Sequence, residues 1–405
     1  MDGFLTVGHP AAVAAVHAML GSSVPHALLI SGPASVGKVS LALDLAAGLL
    51  CSGATGPDRP CRTCRTCRMV EHGNHPDLHW LLPTGAGQQI QVGRDDSPEP
   101  GTVRGLAAEL VLLAMEAGQR VVIVRDAHQA NEVAQNALLK LLEEPPPGTT
   151  IILCTDDEEL MLPTIKSRCA RLRLGTVAIP DTERLLAERG LADAPTAARL
   201  ARLTGGRAGL AVAYAAAPDA VTIRGELARS LLDLLASGPA TRLAAARLLQ
   251  ARAGDLAQQL EQALAPVPDP EGAGGRRGRG RGGAKPTGGD DAGGPPDAVA
   301  PDADETEGAT KVTAKDRRRS IAQLLEVWRD VARDLVLAER GARRTVRDPA
   351  LLEELEAAAR DLPPGAAATF LPRIAEADGL VRGNVTPELL LDVLLLAWPR
   401  RRGAA

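Results

Sequence analysis

Apolar positions along the first 174 residues fall into short β-rich runs separated by amphipathic stretches, the pattern of an α/β domain built on a mainly parallel sheet. The runs "ALLIS" from Ala27, "RVVIVRD" from Arg120 and "TTIILCT" from Thr149 predict three buried strands. Between the last two, "NEVAQNALLKLLEEPPP" predicts a helix with Val133, Ala137, Leu138, Leu141 and Leu142 on its inner face. Pro145 to Pro147 should end that helix, because proline lacks an N–H and disfavours helix at the residue before it.

Beyond Leu174 the pattern is helical. "DTERLLAERG", "APTAARLARLTGG" and "RAGLAVAYAAA" read as short helices split by Gly and Pro. In "IAQLLEVWRDVARDLVL" one stripe carries Ile321, Leu324, Leu325, Trp328, Val331 and Leu335, as a bundle helix would. Three domains are therefore expected: an α/β domain over 1–175, a small helical domain over 176–218, and a helical domain over 219–405. The last is interrupted from about 266 to 315 by a segment rich in Gly, Pro and charge, for which disorder is expected. Its first half carries Arg276, Arg277, Arg279, Arg281 and Lys285 and its second half is acidic. A self-neutralising surface insertion fits that layout better than an arginine-glycine arm for nucleic acid.

Composition narrows the function. The formal net charge is −4 and aromatic residues are 1% of the chain, so neither a basic face nor a base-stacking platform is advertised. The start of the chain lacks a secretory pattern, and apolar runs such as "DVLLLAW" stop far short of a membrane span. A cytoplasmic protein is expected, in which clustered cysteines serve metal rather than disulfides.

Two motifs carry chemistry. Gly32-Pro33-Ala34-Ser35-Val36-Gly37-Lys38, between a strand and a helix, is the G-x-x-x-x-G-K phosphate loop, whose backbone N–H groups and lysine would hold a phosphate chain. The hydroxyl expected next, for Mg²⁺, is replaced by Val39; Ser40 is one residue late, about 100° around the helix. Where hydrolysing members of the class carry two acids after an apolar strand, the run from Arg120 ends in Arg125-Asp126, so only Asp126 remains. These departures favour a loop that can hold ATP or ADP without turning it over. The second motif, Cys51, Cys61, Cys64 and Cys67 at C-x9-C-x2-C-x2-C, supplies four thiolates for a closed, structural Zn²⁺ site. His72, His75 and His79 follow and read as surface or packing residues, and Cys154 and Cys169 as core thiols.

Together, "PHALLISGPASVGK", the cysteine module after the loop helix, "NALLKLLEEPPPGTTIILCT" and "LPTIKSRC" resemble the AAA+ subunits of bacterial clamp loaders, and among them the delta-prime subunits of DNA polymerase III. The resemblance covers Val7 to about Leu174 and fades after "LTGGRAGLA". It implies an AAA+ α/β domain with a zinc module, a helical lid and a C-terminal helical collar. It also implies membership of a hetero-pentamer with tau/gamma motor subunits and delta, which loads a sliding clamp onto primer-template DNA with no membrane involved. In the same way Arg168 of Ser167-Arg168-Cys169 becomes an arginine finger reaching a neighbour's ATP, and Thr155 and Arg207 match the two nucleotide-sensor positions. The role implied is a non-motor one in replication. An ATP-hydrolysing tau/gamma subunit is the alternative, but it predicts a hydroxyl after Lys38 and two acids after Val124. A zinc-stabilised nucleic-acid protein is the other rival, and it predicts basic and aromatic surfaces.

Overall fold

The computed structural model describes residues 3–84, 89–94, 96–111, 118–264, 313–381 and 385–402. The interruption expected at 266–315 lies outside the described residues up to 312. Its last residues do not continue it: Thr313 caps the following helix through a reciprocal capping box with Asp316, so the chain is helical from Ala314.

The first part contains α1 (Pro10–Gly21), β1 (Ala27–Ser31), α2 (Lys38–Leu50), α3 (Arg65–Glu71), β2 (Leu78–Leu81), α4 (Val103–Glu109), β3 (Arg120–Val124), α5 (Glu132–Glu143), β4 (Thr149–Thr155), α6 (Pro163–Lys166) and β5 (Ala170–Arg173). The strands form one parallel sheet in the order β2-β3-β4-β1-β5. Every residue of β1, β3 and β4 is buried, because both faces are covered. Leu28, Ile30, Val121, Ile123 and Ile152 pack with residues of α1 and α2; Leu29, Val122, Val124, Ile151 and Leu153 pack on the other face with residues of α4 and α5. This alternation is the period-two geometry of a strand made visible in two cores. It also brings the C-terminal ends of β1, β3 and β4 side by side.

The face of α5 differs from the expected one at its start. Ala134, Gln135, Leu138, Leu141 and Leu142 are buried, whereas Val133 is 64% exposed. With the Asn131 side chain accepting from Ala134 N to fix the first turn, the inward stripe runs 134-138-141-142 and rotates Val133 outward. Gln135 earns its burial by donating to Ala130 and Leu160 and accepting from Leu162 N.

The rest is helical: α7 (Ile179–Glu188), α8 (Ala194–Thr204), α9 (Ala208–Ala216), α10 (Pro218–Asp233), α11 (Pro239–Leu264), α12 (Ala314–Glu339), α13 (Leu352–Asp361), α14 (Ala366–Val381) and α15 (Pro387–Ala397). The α12 stripe of Ile321, Leu324, Leu325, Trp328, Val331 and Leu335 is buried throughout. Around Trp328 stand Phe370 and Trp398, with ring centroids 5.5 and 5.3 Å away. One hydrophobic cluster runs from Leu186 of α7 to Trp398, so the short helices and the long ones share a core.

Candidate functional site

The phosphate loop leaves the C-terminal end of β1, beside the ends of β4 and β5, and enters α2. Its two glycines are required by shape. Gly32 has φ +147°, and a Cβ there would lie 2.1 Å from the Leu174 carbonyl; Gly37 has φ +107°. Gly32 N–H donates to the Thr155 carbonyl at 3.2 Å, tying the loop to β4. His9, buried at the start of α1, holds the Val36 carbonyl through Nε2 at 2.8 Å. The N–H of Gly209 in α9 donates to the Ser35 carbonyl at 2.8 Å, so α9 abuts the loop.

Lys38 is buried, and its ammonium is fully engaged. Nζ lies 2.9 Å from the Gly32 carbonyl, 2.6 Å from the Pro33 carbonyl and 2.6 Å from Asp156 Oδ1. An ammonium has three protons, and these are three acceptors. Val39 is half-buried and offers no oxygen; Ser40 is exposed on the next position. Asp126, with φ +53°, pairs with its neighbour Arg125 at 3.3 Å. The loop therefore has the glycine geometry of a phosphate cradle, while the lysine and the groups expected to hold Mg²⁺ do not fit a metal-nucleotide as they stand.

Thr155 is fully buried at the end of β4. Its hydroxyl donates to the Asp157 carbonyl at 2.8 Å and accepts from Asp157 N–H at 3.2 Å, so it shapes the turn that carries Asp156. Arg207 precedes α9; its Nη1 lies 2.5 Å from Glu326 Oε1 on α12, and its Nε donates to the Thr204 carbonyl. Thr155 thus meets the loop through its carbonyl, and Arg207 stands two residues before the Gly209 amide that meets it, each with its side chain committed within the chain.

Arg168 follows α6, well away from Lys38 in the chain, and is 38% exposed. Its Nη2 pairs with Glu143 at 2.6 Å and its Nη1 donates to the Thr164 carbonyl. Glu143 is itself 47% exposed. Ion pairs of such exposure contribute about 0–1 kcal/mol, so the guanidinium is readily released to another anion.

The sulfurs of Cys51, Cys61, Cys64 and Cys67 all lie within 4.8 Å of one another. Four thiolates about 2.3 Å from one Zn²⁺ need sulfur separations of roughly 3.8 Å, so the cluster could hold a metal ion after slight contraction. Its positions come from the end of α2, the following turn and the first turn of α3. Gly53 makes the approach possible, since a Cβ there would sit 2.9 Å from Cys61 Sγ. Burial opposes ionisation of Cys64, but hydrogen bonds from Thr66 and from the backbone of Cys67 and Ser52 outweigh it and hold the thiol at about 5. Burial pushes the Cys67 thiol up. Among the described residues no histidine joins the cluster: the His72 ring is engaged by the Arg68 carbonyl, His79 by Glu109, and His75 Nδ1 accepts from Asp77 N–H. Cys154 and Cys169 are buried in the core, as expected.

Sequence reading missed the partners of these groups. Asp156 could have been found, because it directly follows a buried strand ending beside the loop. Glu143, Glu326 and Gly209 carry no local signal for their roles.

Residues 9–178 match the family model described as DNA polymerase III, delta subunit. The DNA polymerase III subunit delta' of Pseudomonas aeruginosa is 37% identical over 151 residues, which is 36% of this chain and 42% of that protein. The subunit delta' of Bacillus subtilis is 34% identical over 147 residues, 36% of this chain and 41% of that protein. The DNA polymerase III subunit gamma/tau of Mycobacterium bovis is 32% identical over 148 residues, 36% of this chain and 23% of that protein. The resemblance to delta-prime clamp-loader subunits is thus borne out, over the α/β part. The matched stretch spans about two-fifths of the length of the delta' relatives. Among the described residues no helix is long and apolar enough to cross a membrane.

Proposed function

We propose that this chain is a non-motor, delta-prime-type subunit of a DNA polymerase III clamp loader, which completes a neighbouring subunit's ATPase site through Arg168 while its own loop does not hydrolyse ATP. On this reading residues 1–175 are the AAA+ domain, 176–218 a lid and 219–405 a collar, and the partners are tau/gamma and delta subunits, the sliding clamp and primer-template DNA. Zn²⁺ on the four cysteines is structural, since all four coordination positions are filled by protein.

The observation that carries the reading is the contrast between two cations. Arg168 is exposed and weakly held by Glu143, whereas Lys38 is buried and saturated beside a residue, Val39, that cannot bind Mg²⁺. A finger supplied in trans can contribute 10³-fold or more to turnover by stabilising charge on the transferring phosphoryl group. The test is clamp- and DNA-stimulated ATPase of the reconstituted loader. Arg168→Ala should cut turnover steeply and Lys38→Ala should leave it nearly intact; the reverse pattern makes the chain a motor.

The motor reading draws on Lys38 itself and on the similarity to the mycobacterial gamma/tau protein. Val39 and Arg125 speak against it, because each removes a group that holds the metal.

A further inference from the structure

Lys38 of the loop and Arg207, just before the helix that abuts it, each already carry a carboxylate of the same chain. Asp156 lies 2.6 Å from Lys38 Nζ, and Glu326 lies 2.5 Å from Arg207, two residues before the α9 amide that binds the loop carbonyl of Ser35. Deepening the non-motor reading, we propose that Asp156, assisted by Glu326, is a built-in counter-anion that stands in for a polyphosphate and keeps this loop closed to nucleotides.

Asp156 is held in place from several sides. The Thr155 hydroxyl closes the turn onto Asp157, and Asp156 N–H donates to His128 Nδ1 at 3.3 Å. Two residues on, Glu158 is pinned by Ser31 at 3.0 Å and by Arg171 at 3.1 Å. A carboxylate delivered by a segment anchored on both sides loses little conformational entropy on meeting Lys38, whereas an incoming phosphate must displace it and match its geometry.

The surroundings add to the barrier. The hollow beside the loop is lined by Asp156, Asp157, Glu158 and Glu159 against Arg173 alone among basic residues. Any polyphosphate entering there brings like charge toward four carboxylates. Lys38 is 6% and Asp156 30% exposed, so the pair is partly buried and less screened than a surface pair. Without the Asp156 charge Lys38 keeps only neutral acceptors, and its positive charge is left uncompensated for a phosphate to meet.

The test is binding, read by anisotropy of a fluorescently labelled ATP on the full chain, without Mg²⁺. Asp156→Asn should bind at least tenfold more tightly than the unmodified chain, and Asp156→Asn/Glu326→Gln more tightly again. Inorganic tripolyphosphate should compete, and adding Lys38→Ala should erase the gain. Asp156→Ser, too short to reach Lys38, should reproduce the effect and guards against a folding defect of the first variant, with thermal midpoints compared for each. Affinities within twofold of one another, or a gain that survives Lys38→Ala, overturn the proposal. Either result leaves the Arg168 reading to its own turnover test, because no second subunit is present.

Discussion

Asp44 of α2 and Arg62 of the cysteine module form a buried ion pair, with side chains 1% and 14% exposed. The same carboxylate accepts from the backbone N–H of Leu5 at 3.0 Å and of Thr6 at 2.9 Å, and from the Thr6 hydroxyl. One side chain on the helix that follows the phosphate loop thus fastens both the N-terminal segment and the metal module. Removing one partner of a buried pair leaves an uncompensated charge, so Asp44→Ala should destabilise the chain by about 3–5 kcal/mol. Denaturant unfolding would measure it, and an effect below about 1 kcal/mol would contradict the burial of the pair.

Metal analysis of chain purified without chelator should find one zinc per chain, and Cys64→Ser should abolish it. A subtler change tests the shell behind the ligands. Thr66 Oγ1 lies 3.0 Å from Cys64 Sγ and accepts from Ser52 N–H at 3.2 Å, so it orients one ligand and the turn that carries another. Thr66→Val should weaken zinc binding roughly 10- to 100-fold without removing a ligand. Competition with a chelating dye would read the difference.

How much of this was legible in the chain depended on whether a signal was local. The strands β1, β3 and β4 could be read because burial on both faces leaves unbroken apolar runs. The edge strands β2 and β5, "LHWL" and "ARLR", were not read, since each is only four residues long and neither is an unbroken buried run: β2 is buried only at its ends, Leu78 and Leu81, and β5 alternates between half-buried and exposed. The four cysteines announced themselves by spacing, and the structure brings their sulfurs together. Glu326 could not be foreseen, because the helix that carries it meets Arg207 only through packing of the shared core. The outward turn of Val133 is a smaller case: a helical stripe read by period alone is uncertain by one position until its cap fixes the phase.

Tyr214, the chain's single tyrosine, gives the core a spectroscopic handle. Burial in the shared core pushes its hydroxyl up to about 12, despite the nearby Arg224. The folded-state value is raised above the ordinary one near 10, so the unfolded chain loses this proton first. The stabilisation is full below about pH 10 and is lost as pH rises toward 12, amounting to roughly 2–3 kcal/mol. Phenolate absorbance should therefore appear with unfolding rather than at pH 10, and Tyr214→Phe should flatten the stability curve between pH 10 and 12. A reversible phenolate signal near pH 10 from folded protein would refute it.

Arg242, on α11, is fully buried, and its hydrogen-bond partners are backbone carbonyls. Its Nε donates to Leu234 and Ser237, both at 3.1 Å, beyond the end of α10; its two terminal nitrogens donate to Leu395, Trp398 and Pro399 at the end of α15. Carbonyls at helix C-termini have no partner within the helix and carry the negative end of its dipole. One guanidinium therefore satisfies two chain segments at once, beside Trp398 of the aromatic cluster. Arg242→Met keeps much of the volume but orphans these carbonyls, each at about 1–3 kcal/mol, so a loss of at least 3 kcal/mol is expected. Arg242→Lys should recover little of it, because a single ammonium cannot span the fork that reaches both ends. Urea unfolding of the two variants decides the point: if lysine restores most of the stability, charge at the helix end is what matters, and if it does not, the planar geometry of arginine is what joins α11 to the C-terminal helix.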